Sequence, residues 1–167
     1  MIKAVIFDMD GVVADTAMID FVADYNVLQS VGIEITEETY LKRTGQTSKQ
    51  KYTDILQENN VDADVAELQT LRIPEIIKAI EQSDIIPNTG FIELCSNLRD
   101  AGIKLALATS SRSQKTTHML EKLNLTDFFD LVVNGDAVSN NKPDPEIYLK
   151  TLELLNLNAS DCVVIED

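Results

Sequence analysis

The run Ala4-Val5-Ile6-Phe7, followed by Asp8-Met9-Asp10-Gly11, constrains this chain most. An unbroken apolar run closed by polar and turn residues reads as a strand buried on both faces, the habit of parallel sheets. Asp8 and Asp10 emerge where that strand stops, and Gly11 lets the chain turn sharply. In open α/β sheets, ligands sit outside the carboxyl ends of the strands. One Asp in such a place most simply caps a turn. Two acids, two residues apart, can hold a metal and do acid/base or nucleophilic work.

Three more apolar runs end in the same way. Residues 103–108 lead into Thr109-Ser110-Ser111-Arg112. Residues 131–133 lead into Asn134-Gly135-Asp136, with Lys142-Pro143-Asp144-Pro145 shortly after. Residues 162–165 read as a fourth buried strand and lead into Glu166-Asp167. Helical patterns separate them. Ile92, Cys95 and Leu98 mark one helix, closed by Gly102, and Met119, Leu120 and Leu123 mark another from Ser113. Asp144 is a good N-cap and Pro145 a good first residue for a third. A parallel sheet would bring all four strand ends to one edge.

Residues 15–84 read differently, as helices only. Met18, Phe21, Val22, Tyr25 and Leu28 keep the spacing of one helical face, and Gly32 is a plausible stop. Thr36, with Glu37 and Glu38 behind it, reads as the start of a helix ending near Gly45. A third helix is expected over 48–58, with Tyr52, Ile55 and Leu56 inward. A fourth is expected from near Asp64 to Gln82. Pro74 lies inside it and predicts a kink or break near Ile73, because an interior proline removes a backbone bond at a cost of ~3 kcal/mol. The expected organisation is an α/β core from 1–14 and 85–167 and an inserted helical domain over 15–84. The core would be three layers around a Rossmann-like parallel sheet.

Charge and composition narrow the partners. The chain has 167 residues, 44% of them apolar, and a net charge of −14. That charge argues against nucleic acid or an anionic membrane as partner. No apolar run approaches the ~20 residues that span a bilayer. The N-terminus lacks the pattern of a signal peptide. The two cysteines, Cys95 and Cys162, sit in apolar stretches at no metal-like spacing. The expectation is a soluble cytoplasmic protein, with a monomer as the default state. A phosphate ester approaching this acidic chain would meet like charge, and each repulsion at 4 Å costs ~4 kcal/mol at an effective dielectric of 20. A phosphoryl site here needs a bound cation and a well-placed Lys or Arg.

The sequence Asp8-Met9-Asp10-Gly11-Val12-Val13 resembles the first motif of the haloacid dehalogenase superfamily, phosphatase branch. Thr109 resembles the second motif, Lys142 in Lys-Pro-Asp-Pro-Glu-Ile-Tyr the third, and Glu166-Asp167 the acidic fourth. The likeness covers essentially the whole chain and is nearest to the β-phosphoglucomutase-like phosphatases, whose helical cap lies between motifs one and two. It implies that Asp8 attacks phosphorus to form an aspartyl-phosphate, while Asp10 serves as general acid and base. It implies Mg²⁺ held by Asp8, the Asp10 backbone carbonyl and Asp167, with Glu166 assisting. Lys142 and Thr109 would offset charge on the phosphoryl oxygens. Dehalogenases of the superfamily need no acid at the position of Asp10, and its ion-pumping ATPases carry Lys after their Asp. The implied substrate is a small phosphorylated metabolite, a sugar phosphate above all.

Other positions stay open. Ser110, Ser111 and Arg112 could bind a second anionic group or merely cap the following helix. Thr16 and Asp20, opening the first cap helix, are candidate substrate contacts. His118 reads as structural, and Asp136 as a turn residue. Mutases of the subgroup carry histidine where Asp20 stands, and basic residues in the cap loop out of register with Arg43-Thr44-Gly45-Gln46-Thr47-Ser48-Lys49. This favours a phosphatase over a sugar-phosphate mutase. Family members continue beyond the acidic motif, so a truncated chain with an exposed edge strand, an impaired metal site and weak activity is a further expectation. A non-catalytic binding module is the alternative that follows from it.

Overall fold

The computed structural model describes residues 1–43 and 45–167. The chain runs β1 (Ala4–Phe7), α1 (Ala17–Gln29), α2 (Glu37–Leu41), α3 (Ser48–Glu58), α4 (Val65–Gln82), α5 (Phe91–Asp100), β2 (Lys104–Ala108), α6 (Ser113–Lys122), β3 (Leu131–Val133), α7 (Glu146–Leu155) and β4 (Cys162–Ile165). It packs as two compact units, Met1–Thr16 with Asp84–Asp167, and Ala17–Ser83.

In the first unit the four strands lie in the order β3-β2-β1-β4, every pair parallel. Phe7 is in register with Leu107 on one side and Ile165 on the other, and Ala108 with Val133. The strand ends are therefore level. Alternation along the strands sorts the core into two faces. Ala4, Ile6, Ala106 and Ala108 pack with Ile147 and Leu155 of α7. Phe7, of opposite parity, meets the Phe91 ring of α5 edge-on at 5.4 Å. Helices thus cover both faces, the arrangement that right-handed parallel crossovers require. β4 is an edge strand in this order, in line with the expected exposed edge, and Val163 and Val164 are each 43% exposed, which corrects the reading of 162–165 as a buried strand. Ile92 of α5 is also exposed, at 45%. The inward residues of that helix are Phe91 and Cys95.

Local chemistry sets the helix ends. Asp144 Oδ1 accepts from the Glu146 N–H at 2.9 Å, so it caps α7 as its sequence suggests, two residues before Glu146, where the helix begins. Asp136 Oδ2 accepts from the N–H and hydroxyl of Ser113 at 3.2 and 2.6 Å. That side chain, from the turn after β3, caps α6, whose own preceding residue Arg112 supplies no side-chain cap. Ser113 and the nearby backbone hold the Asp136 carboxyl below its ordinary pKa.

The second unit has its own core, made by Val27, Leu28, Ile33, Tyr52, Ile55, Leu56 and Leu68. Thr36 caps α2 through a reciprocal bond with Thr39. Tyr52, Ile55 and Leu56 point inward from α3 as their spacing requires. Two expectations fail here. The buried face of α1 is Ile19, Ala23, Asp24, Val27 and Leu28, while Met18 and Val22 are exposed. α2 ends at Leu41, short of Gly45.

The break expected as one outcome near Ile73 does not occur, since α4 runs continuously through Pro74. Side chains anchor it on both sides of the proline. Arg72 is ion-paired with Asp20 and Asp24 of α1, and Glu75 accepts from Asn26 at 2.7 Å. Ile76, Ala79 and Ile80 are buried beyond it. Tertiary packing outweighs the missing backbone bond. The carboxylate that organises this contact is Asp24, 1% exposed. It accepts from Tyr40 Oη at 2.7 Å, Tyr52 Oη at 2.7 Å and Arg72 Nε at 2.6 Å. Burial works against the Arg72 charge, but Asp20 and Asp24 outweigh it and hold the guanidinium well above its ordinary pKa. No helix among the described residues is long and apolar enough to cross a membrane.

Candidate active site

The order of winding reverses between β1 and β4, and in open α/β sheets such a switch point, beyond the carboxyl ends of the strands, is where ligands bind. Asp8 leaves β1 there and keeps the pairing one step further, its N–H donating to Ile165 O at 3.0 Å. The carboxylates of Asp8, Glu166 and Asp167 each place an oxygen within 4.8 Å of the others. Gly11 makes room for this. It has φ +83°, and a Cβ there would meet Asp167 Oδ2 at 2.4 Å. Asn88 braces the same loop, its side-chain amide donating to the carbonyls of Gly11 at 2.7 Å and Val12 at 2.9 Å.

Lys142 supplies the opposing charge. Its Nζ lies 2.7 Å from Asp8 Oδ1 and 2.5 Å from Glu166 Oε1, and donates to Ala108 O at 2.9 Å. One ammonium thereby joins the ends of β1, β2 and β4. Burial pushes the Asp8 carboxyl up to about 6; Lys142 opposes the shift, while Glu166 and Asp10 add to it. Burial thus outweighs the lysine.

Asp10 is held from the other side. Its Oδ1 accepts from Thr16 Oγ1 at 2.5 Å and Lys115 Nζ at 2.8 Å, and its Oδ2 from Ser111 Oγ at 2.8 Å. Ser111 N–H donates in turn to Thr109 Oγ1 at 3.1 Å. Thr109 is fully buried at the end of β2. The turn after β3 closes on this segment, Gly135 N–H donating to Ser111 O at 2.9 Å. A Cβ at Gly135 would lie 2.2 Å from Ser110 O.

Asp8, Asp10, Thr16, Thr109, Ser111, Lys142, Glu166 and Asp167 are thus linked around one rim of the α/β unit. Ser110 and Arg112 line a cleft with Ser113, Gly135, Asp136 and Asn141. Asp20 belongs to the helical unit, where its carboxylate is 2.5 Å from Arg72. His118 Nδ1 lies 2.8 Å from Gln114 O, one turn back on its own helix. Thr44 of the cap loop lies outside the described residues. Sequence reasoning missed Lys115. Its signal was a lysine in register with Met119 and Leu120, on the buried stripe of a helix that starts at a strand end.

The sequence profile of the haloacid dehalogenase-like hydrolases matches residues 5–167. The chain belongs to this family. A phosphorylated carbohydrates phosphatase from Thermotoga maritima is 39% identical over 165 residues, which cover 99% of this chain and 76% of that protein. The β-phosphoglucomutase of Bacillus subtilis is 30% identical over 173 residues, covering 99% of this chain and 75% of the relative. Among solved structures, β-phosphoglucomutase from Clostridium difficile superposes with a TM-score of 0.82 at 29% identity, covering 100% of this chain and 77% of that one. These relatives of the haloacid dehalogenase-like chain are longer than it is. They agree with the parallel α/β fold and with a family of phosphatases and sugar-phosphate mutases.

Proposed function

We propose that this haloacid dehalogenase-like hydrolase is a Mg²⁺-dependent phosphatase of a small phosphorylated metabolite, a sugar phosphate above all. The observation that carries it is the three-carboxylate cluster with Lys142 against Asp8, beside a second acid held apart on its own donors. In this proposal Asp8 attacks phosphorus, and its new O–P bond forms as the ester P–O bond breaks. Asp10 gives its proton to the leaving oxygen. It then takes a proton from the water that attacks the aspartyl-phosphate, so free phosphate leaves and Asp8 is restored. Lys142, Thr109 and nearby N–H groups offset charge on the phosphoryl oxygens. The donor set suits a hard cation, since it offers carboxylate oxygens only, with Gly11 leaving the space that Asp167 fills. Asp8, Asp167 and the Asp10 carbonyl would hold Mg²⁺, with Glu166 assisting. Bound there, it supplies charge neutralisation between the carboxylates and the phosphoryl group. The helical unit, in this reading, is the cap that chooses the substrate.

The test is phosphate release from a panel of phosphorylated metabolites and p-nitrophenyl phosphate, with Mg²⁺ and with EDTA. Turnover that needs Mg²⁺ and vanishes in Asp8→Asn is the expected result. Metal-independent turnover, or none on any substrate, would sink the proposal. A mutase is the second reading, favoured by the likeness to the Bacillus subtilis enzyme. It requires isomer exchange dependent on a sugar bisphosphate, where a phosphatase gives free phosphate alone.

A further inference from the structure

Lys115 stands where local physics disfavours it. Its side chain is 9% exposed, so the ammonium is largely stripped of water. It is also the third residue of α6, at the end where the helix dipole is positive and cations are disfavoured. Thr116, Met119 and Leu120 of the same helix are buried, so the lysine occupies a stripe that an apolar residue could fill. Against these costs stands its contact with Asp10, 2.8 Å from Nζ to Oδ1 and 105 positions away in sequence. Thr16 shares that same oxygen, and Ser111 takes the other. A carboxylate held by a hydroxyl on each oxygen and an ammonium on one has little freedom about its terminal torsion.

We infer that Lys115 is a positioning residue, which acts through Asp10 by fixing the direction in which that carboxyl meets the leaving oxygen. The inference rests on the phosphatase reading for its kinetic consequence. An alkoxide leaving group needs the proton that Asp10 delivers. A p-nitrophenolate leaves readily without it. Misaligning Asp10 therefore penalises alkyl phosphates more than the aryl one, whereas general loss of structure penalises both alike.

The experiment uses the full chain and the variant Lys115→Met, which keeps the length and apolar stem of the side chain. Its fold is checked by circular dichroism. The ratio of kcat/KM on glycerol phosphate to kcat/KM on p-nitrophenyl phosphate, which reports expulsion of the leaving group and not the shared hydrolysis of the aspartyl-phosphate, is expected to fall about tenfold or more, within the usual range of general-acid contributions. A ratio unchanged within about twofold would overturn the inference. In parallel, the ¹⁵N-lysine-labelled chain is followed by NMR without metal. The Lys115 ammonium signal, assigned by its loss in Lys115→Met, should be resolved from exposed lysines and should shift in Asp10→Asn. A Lys115 signal indistinguishable from exposed lysines, or indifferent to Asp10→Asn, would also overturn it. If the wild-type chain turns over neither substrate, the phosphatase reading fails, and the NMR arm still decides whether Lys115 holds Asp10.

Discussion

Lys142 and Asp8 lie 134 positions apart in sequence, and their side chains meet at 2.7 Å. Both are mostly buried, with 17% and 10% of their side chains exposed. Lys142→Met would leave the carboxylates of Asp8 and Glu166 without this cation. The expected result is loss of nearly all phosphate release and a drop in stability of about 1–3 kcal/mol, read from urea denaturation at neutral pH. Wild-type stability in the variant would mean that the pair contributes nothing measurable.

The carboxyl of Asp8 should titrate in the metal-free chain with a midpoint of about 6. Because the folded value is raised, the folded state binds this proton more tightly than the unfolded one. The resulting stabilisation is complete below the ordinary value of 3.8 and disappears as pH rises through about 6. Carboxyl ¹³C NMR gives the midpoint directly. Thermal melts of wild type and Asp8→Asn should diverge across that interval, with the wild type losing ground as pH rises. Added Mg²⁺ should pull the midpoint down.

Gly11→Ala puts a methyl group into the Asp167 carboxylate and forces an L-residue to φ +83°. The backbone conformation alone costs about 1–2 kcal/mol. Mg²⁺ affinity, measured by titration calorimetry, is expected to fall about tenfold or more, as for the loss of a group that orients metal ligands. Unchanged affinity would show that Asp167 does not need the space that glycine provides.

Asp24 is the hub of the helical unit. Asp24→Ala removes one of the two carboxylates on Arg72, which keeps Asp20, and removes the acceptor of two tyrosine hydroxyls. A loss of about 2–4 kcal/mol is expected from urea denaturation. Tyr40→Phe removes one donor and should cost about 1 kcal/mol. Comparable costs for the two variants would argue that the ion pair with Arg72 stabilises the unit no more than one tyrosine hydrogen bond does.

Pro74→Ala restores a backbone N–H inside α4 at an exposed position. Because packing already holds this helix continuous, the substitution should stabilise the chain by about 1–3 kcal/mol, up to the intrinsic penalty of an interior proline. A destabilised variant would show that the helix is bent at Pro74 and that its packing depends on the bend.

The residues alone determined the strands and most helix ends. Four apolar runs without alternation fit a parallel sheet, and Thr36, Asp64 and Asp144 carry side chains that satisfy helix N–H groups wherever they occur. They also determined which polar residues follow each strand, and so which ones share the rim. Tertiary structure decided the rest. Only the order β3-β2-β1-β4 shows Val163 and Val164 exposed, where the apolar run by itself reads as buried. Only contacts with α2, α3 and α4 turn Asp24 of α1 inward, and contacts between α1 and α4 flank Pro74 in a continuous helix. Only the meeting of α6 with the loop after β1 reveals that Lys115 belongs to Asp10. Periodicity and capping act over a few residues and can be read along the chain. A charge settles wherever a distant partner offsets its desolvation, and the fold alone chooses that partner.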